Sequence, residues 1–317
     1  MRAVFLDWDS LDRQDLQQAA CHDLPVNWTF HAQTTAAQLH ERIADAEIVV
    51  TNKVVLDAAA LDTAKHLKLV CVAATGTNNV DLQHARHRGI DVTNVRGYAT
   101  PSVVQHVFLL ILSLLRSSQA YQQAVTGGRW QQSEYFCLLD YPIEELGGKT
   151  LGIIGYGELG QAVAQTARHF GMEVLVAQRL HGAAQVDRMP LSELLPRVDV
   201  LSLHCPLSDA TRNLIGAREL AMFKPSAILI NTARGGIVDE AALLEALRQR
   251  RLGGAGIDVL HKEPPRAGNP LLEAHMPNLI VTPHIAWASR QARQRLLDGV
   301  AANIQAYLAH NPINLVN

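Results

Sequence analysis

Paired cysteines are missing from this chain. Cys21, Cys71, Cys137 and Cys205 stand far apart and form no CxxC, which excludes a zinc knuckle or a redox dithiol and leaves reduced, mostly buried thiols as the expectation. None of the 14 histidines belongs to an HExxH or similar ligand set, so no metal is expected. His84, His87 and Asp81 share one short helical stretch that reads as a solvated face. A basic stripe is absent too: 28 Lys and Arg are scattered among 30 Asp and Glu for a net charge of −2, so no nucleic acid and no membrane surface is an expected partner. The longest apolar run, Val103 to Leu115, is interrupted by Gln105, His106 and Ser113 and falls short of the roughly 20 residues a membrane span needs. It reads as a buried helix. Asp7 and Asp9 arrive before any signal-peptide core can form, so the N-terminus reads as the first strand of a cytoplasmic protein. Internal repeats and low-complexity segments are also lacking.

What is present is an apolar, periodic chain. Its 317 residues, 48% hydrophobic and 18% charged, suit two cores. Short apolar runs (Ala3 to Leu6, Glu47 to Thr51, Leu69 to Ala73, Asp91 to Asn94) alternate with helical segments near residues 12 to 20 and 35 to 45, the pattern of a parallel sheet with crossover helices. At Thr100-Pro101 a hydroxyl N-cap precedes proline at the first helical position, so a long apolar helix starts there. After Gly147-Gly148-Lys149-Thr150 a more regular series begins, with strands at Leu151 to Ile154, Glu173 to Ala177, Val198 to His204, Ala227 to Asn231, Gly254 to Val259 and Leu279 to Thr282. Six strands with crossovers fit a doubly wound dinucleotide fold. The amphipathic tail from Gln291 to Leu308 lies outside that unit and is expected to return to the first domain.

Gly155-Tyr156-Gly157-Glu158-Leu159-Gly160 follows the first strand of the second series and opens a helix with Ala162, Val163 and Ala167 on its inner face. A GxGxxG string alone is weak; in this position it is a pyrophosphate cradle. An acid that holds the adenosine ribose normally ends the next strand, about 20 residues on. Here that place reads Ala177-Gln178-Arg179. Gln178 can still bond a hydroxyl. With no negative charge to repel a 2′-phosphate, NADP(H) as well as NAD(H) is open, and Arg179 is either its partner or a solvated loop charge.

Ligands of open α/β sheets gather at the carboxyl ends of the strands. Three of these ends carry Thr232-Ala233-Arg234-Gly235-Gly236, Glu263-Pro264 and Pro283-His284. Keto-acid reduction needs those side chains. A guanidinium fork binds a carboxylate and polarises the neighbouring carbonyl, a histidinium protonates the developing alkoxide, and a carboxylate orients the imidazole and favours its charged form.

The chain resembles the D-isomer-specific 2-hydroxyacid dehydrogenase family over essentially its full length. GYGELG, INTARGG from Ile230, GIDVLHKEPP from Gly256 and TPHIAW from Thr282 match the family signatures in order and spacing. Within it, the run from Gly97 to His106, LLDYPIEELGGKTLGIIGYGELG and HIAWAS are similar to bacterial glycerate dehydrogenases, also called hydroxypyruvate reductases. The resemblance implies an α/β chain of two doubly wound parallel-sheet domains with a cleft between. Residues 1–99 plus 286–317 would form a flavodoxin-like substrate domain, and residues 100–285 a Rossmann-type cofactor domain. It implies Arg234 as substrate binder, His284 as acid/base and Glu263 as its partner. Cofactor contacts are implied for Thr100, Gly155, Tyr156, Gly157, Glu158, Leu159, Gly160, Gln178, Arg179, His204, Cys205, Pro206, Thr211, Thr232, Ala233, Asp258 and His284. Thr75 and Gly76 would hold the substrate carboxylate through backbone N–H groups, although Ala74 and Asn78 stand where the family usually has glycine and aspartate. Trp287 would help close the site. Cys205 is read as a space-filling residue, since hydride transfer needs no nucleophile. The expected enzyme reduces hydroxypyruvate or glyoxylate with NAD(P)H, and the apolar helix after Thr100 is expected at a homodimer interface. Alternatives are a D-lactate- or phosphoglycerate-type dehydrogenase, or a non-catalytic NAD(H)-sensing co-repressor-like protein on the same scaffold.

Overall fold

Short, largely aliphatic runs such as Ile48–Thr51 and Leu69–Val72 are buried at every position, which is how strands read when a parallel sheet is covered on both faces. The computed structural model describes residues 1–180 and 185–317. The chain divides into two compact units, Met1–Ala99 with Trp287–Asn317, and Thr100–Ala286. Ala286 groups with the second unit rather than the first because its N–H donates to Asp258 and its carbonyl accepts from Ser102.

In the first unit β1 (Arg2–Phe5), β2 (Asn27–Phe30), β3 (Ile48–Thr51), β4 (Leu69–Val72) and β5 (Asp91–Thr93) form a parallel sheet in the order β2-β1-β3-β4-β5. This is the flavodoxin-like order. Strand β2 escapes the sequence reading because it is an edge strand of alternating half-buried and exposed residues, with Asn27 and Thr29 in a four-residue stretch. The helix expected near residues 12 to 20 is reduced to Ala19–His22. Asp12 is the cause: its carboxylate accepts the N–H groups of Asp15 and Leu16 and the Gln18 amide, so a local side-chain turn replaces the helical ladder. The tail helix, Arg290–Leu308, buries Leu296, Leu297, Val300 and Ile304 in this unit's core.

In the second unit β6 (Thr150–Ile154), β7 (Glu173–Val176), β8 (Val200–Leu203), β9 (Ile228–Asn231), β10 (Gly254–Ile257) and β11 (Leu279–Val281) are all parallel, in the order β11-β10-β9-β8-β6-β7. Met189 bridges Ala177 beyond the β7 edge as a vestigial strand. The chain therefore runs outward from β6 to β7 and this bridge, then crosses back to β8 on the other side. That reversal puts a crevice at the carboxyl ends of β6 and β8, where doubly wound sheets bind ligands. The apolar helix, Thr100–Leu115, packs on β9, β10 and β11 and buries Val103, Val107, Leu110 and Ile111. It begins at Thr100 itself, whose hydroxyl donates to the Glu158 carboxylate, a charged acceptor. No single helix among the described residues is long and apolar enough to cross a membrane.

Candidate active site

The turn after β6 leaves little freedom. Gly155 has φ +92, and a Cβ there would lie 2.5 Å from the His204 carbonyl; a Cβ on Gly160 would lie 2.1 Å from the Gly155 oxygen. Both positions therefore exclude any side chain, the first for backbone angle and both for room. Gly157 is different: a Cβ there would meet no protein atom within 4 Å. It caps the helix Glu158–His169, so the space beside it faces the positive, N–H-rich end of that helix.

A cavity of about 430 Å³ opens from this turn, lined by Gly155, Tyr156 and Gly157, by Gln178 and Arg179 after β7, and by His204, Cys205, Pro206 and Thr211 after β8. Nine of the expected cofactor residues thus share one cavity. Thr100, Glu158, Leu159, Gly160, Thr232, Ala233, Asp258 and His284 lie outside its lining. Thr211 is buried, and its hydroxyl donates to the Pro206 carbonyl while accepting from Ser208 N–H, so it shapes the loop. Burial pushes the His204 imidazole down to about 4, so it is neutral near pH 7, with Nε2 2.8 Å from the Ser202 hydroxyl. Burial pushes the Cys205 thiol up to about 11, which fits a filler and opposes a nucleophile.

At the next three strand ends, Asn231 closes β9 and its amide clips the following loop, donating to the Arg234 carbonyl and accepting Ala233 N–H. The Arg234 guanidinium donates to the Ala233 carbonyl. Gly235 lies so close to the loop after β10 that a Cβ would overlap the Leu260 oxygen at 1.9 Å. Leu260 N–H donates to Glu263 Oε1, and Glu263 Oε2 meets His284 Nδ1 at 2.6 Å. Backbone contact joins the arginine loop to the glutamate loop, and a hydrogen bond joins the glutamate to the histidine. A second cavity, of about 300 Å³, is lined by Asp258, Glu263, Thr282 and His284 among apolar neighbours that include Leu260, Leu272 and Val281.

Asp258 also holds the loop after β11 together. Its side chain is fully buried and accepts Ile285 N–H, Ala286 N–H and the Thr282 hydroxyl, while its carbonyl accepts His284 N–H. It buttresses the His284 turn, where His284 sits at φ +56. Since Thr282 spends its one proton on Asp258, its oxygen accepts from Nε2 of His106, 2.9 Å away on the apolar helix. Sequence reasoning assigns no role to His106, Asn231 or Thr282; a polar residue at the end of an apolar strand is the available signal for Asn231 and Thr282, and a buried histidine inside the apolar helix is the signal for His106. In the first unit, the Thr75 hydroxyl donates to the Val95 carbonyl and the Asn94 amide to the Thr75 carbonyl, which fixes the loop carrying Thr75 and Gly76. Trp287 packs edge-on against Tyr98 at 6.3 Å.

A dinucleotide fits these residues. The clearance at Gly157 is where a pyrophosphate needs backbone N–H groups, and the buried Thr232 hydroxyl has no partner among the described residues, a deficit a ligand group would relieve. A parallel sheet with a dinucleotide seat at its reversal and a histidine–carboxylate pair farther along the same edge defines a nicotinamide-dependent oxidoreductase. Comparison with known proteins carries this further. Residues 108–286 match the family model described as D-isomer specific 2-hydroxyacid dehydrogenase, NAD binding domain. A glycerate dehydrogenase of Methylorubrum extorquens is 46% identical over 99% of this chain and 98% of its own length. A hydroxypyruvate reductase of Blautia hydrogenotrophica is 36% identical over the whole of both chains. The structure of an NADPH-dependent glyoxylate/hydroxypyruvate reductase from Sinorhizobium meliloti, in complex with NADP and malonate, superposes with a TM-score of 0.83 at 28% identity, covering 99% of this chain and 96% of that one. The chain belongs to the D-isomer specific 2-hydroxyacid dehydrogenase family.

Proposed function

We propose that this enzyme reduces hydroxypyruvate to D-glycerate, and glyoxylate to glycolate, with NADH or NADPH. The observation that carries the chemistry is the 2.6 Å contact between His284 Nδ1 and Glu263 Oε2 on the sheet edge that also bears the glycine turn. The substrate class is supported by the similar glycerate dehydrogenase and hydroxypyruvate reductase. Glu263 engages Nδ1–H, which leaves Nε2 as the atom that exchanges a proton. The bound dinucleotide supplies a hydride to the keto carbon. As the carbonyl electrons move onto oxygen, His284 Nε2–H donates its proton to that oxygen, and the neutral imidazole takes it back in the oxidative direction. The Glu263 carboxylate holds the ring through Nδ1 in both directions. Arg234 presents the planar fork that a 2-keto acid carboxylate requires, on a loop clipped by Asn231. Backbone N–H groups at Thr75 and Gly76 are further carboxylate donors in this proposal, and Trp287 packs beside the substrate. All four cysteines are free, which supports a reducing, cytoplasmic setting. The enzyme is proposed to act as a homodimer.

A steady-state screen of hydroxypyruvate, glyoxylate, pyruvate and phosphohydroxypyruvate with both cofactors tests this. Hydroxypyruvate should give the highest kcat/KM. A preference for pyruvate or for the phosphorylated acid would move the assignment to a D-lactate- or phosphoglycerate-type enzyme. Oxidation of neither cofactor with any keto acid would leave nucleotide sensing as the function.

A further inference from the structure

The dinucleotide cavity carries a feature that the family assignment does not supply. Where an acid normally ends the second strand, Gln178 turns its side-chain amide to the carbonyl of Arg188, 3.4 Å away, while its backbone N–H donates to Met189. Met189 N–H donates back to Val176, so a two-sided clamp fixes the Arg188 segment against the end of β7. Arg188 and Arg179 both line the cavity, which has no aspartate or glutamate in its lining. Neither arginine is ion-paired among the described residues. The Arg188 guanidinium lies over the Tyr156 ring, 5.8 Å from its centroid, and Tyr156 is the second residue of the glycine turn. Stacking of this kind holds a guanidinium in place while its in-plane donors stay available. The acid of the turn, Glu158, accepts from Thr100 and is not part of the cavity lining.

We infer that Arg179, Arg188 and the Tyr156 ledge form a seat for the 2′-phosphate of NADPH, with Gln178 as the positioning residue that sets Arg188 in place. The inference rests on the dinucleotide-dependent reading above. Two cations with no carboxylate among the lining residues favour a dianionic phosphate over a pair of neutral ribose hydroxyls. An amide in place of the acid removes the repulsion that excludes the phosphate. Arg188 carried no signal in the sequence, because it lies in the polar stretch Gln185-Val186-Asp187-Arg188, ten residues from Gln178, and only the Met189 bridge returns it to the sheet edge.

Titration calorimetry of the full chain with adenosine 2′,5′-bisphosphate and with 5′-AMP isolates the phosphate, since the two ligands differ in nothing else. The bisphosphate should bind about tenfold to a hundredfold more tightly, the range for charge-assisted bonds, and the gap should narrow with added salt. Arg188→Ala and Arg179→Ala should each shrink the ratio of the two dissociation constants about tenfold. Gln178→Glu should shrink it further by restoring a repelling charge. Equal binding of the two ligands by the unaltered protein, or an Arg188→Ala variant that weakens both in equal proportion, would overturn the phosphate seat. Turnover is read separately. Reduction of hydroxypyruvate without discrimination between the cofactors removes the seat and keeps the dehydrogenase; tight bisphosphate binding without turnover of any keto acid does the reverse.

Discussion

His284 occupies a backbone conformation, φ +56, that a bulky residue keeps only when its surroundings enforce it. Asp258 does so through its carbonyl and through a carboxylate that collects Ile285 N–H, Ala286 N–H and the Thr282 hydroxyl. The proposed acid/base group is therefore set by backbone as well as by Glu263. His284→Ala should lower kcat by about 10² to 10⁴, the usual range for a general acid, with NAD(P)H binding largely retained. Near-normal turnover in that variant would remove His284 from the mechanism. Arg234→Ala should act mainly on the KM for the keto acid. The glycines separate structure from ligand in a different way. Gly160→Ala sets a methyl 2.1 Å from the Gly155 oxygen, so thermal stability should fall together with cofactor affinity. Gly157→Ala meets no protein atom within 4 Å, so the melting temperature should hold while cofactor affinity drops. A Gly157→Ala variant with unchanged affinity for both nicotinamide cofactors would move the pyrophosphate elsewhere.

At the scale of elements, what the sequence made legible follows burial. The six strands of the second unit are apolar runs between turn residues, and the site residues sit where those runs stop, so strand ends and catalytic candidates emerged together. Strand β2 was illegible because a half-exposed edge strand has no apolar run, and the stretch after Asp12 because a side-chain turn outcompetes helical periodicity. Asp258 was legible as a site residue by resemblance, but its partners, Thr282 from the end of β11 and His106 from the apolar helix, are assembled only by the fold. The loop after β8 adds a pH dependence. His204, at about 4 in the folded protein against 6.5 in an ordinary setting, binds fewer protons folded than unfolded between those two values. Unfolding then takes up a proton at this site, so the contribution of His204 to stability falls as pH is lowered from 6.5 towards 4. Denaturant midpoints across that window should show the slope, and His204→Gln should flatten it. An equal slope in both proteins would assign the effect to other groups.

At the scale of the whole molecule, several large apolar side chains are exposed. Along one stretch of the second unit, Leu109 is 56% exposed, Trp130 51%, Tyr135 76%, Phe136 91% and Leu139 77%. Scattered apolar residues are ordinary on a protein surface, and these large ones within some thirty positions are the surface on which the proposed homodimer is tested. Leu109 and Leu112 are exposed on the same helix, Thr100–Leu115, whose inner face packs on the sheet behind the site. A second copy of the chain is the simplest cover, because an isologous contact needs only one self-complementary patch. Light scattering at micromolar concentration should give a mass near twice 34.7 kDa. Replacing Phe136 and Leu139 together by serine should shift that mass towards the monomer, and because both side chains lie outside the core the folded state of each chain should survive by circular dichroism. A strictly monomeric mass for the unaltered protein at that concentration would leave the stretch without its partner and remove the dimer from the proposal.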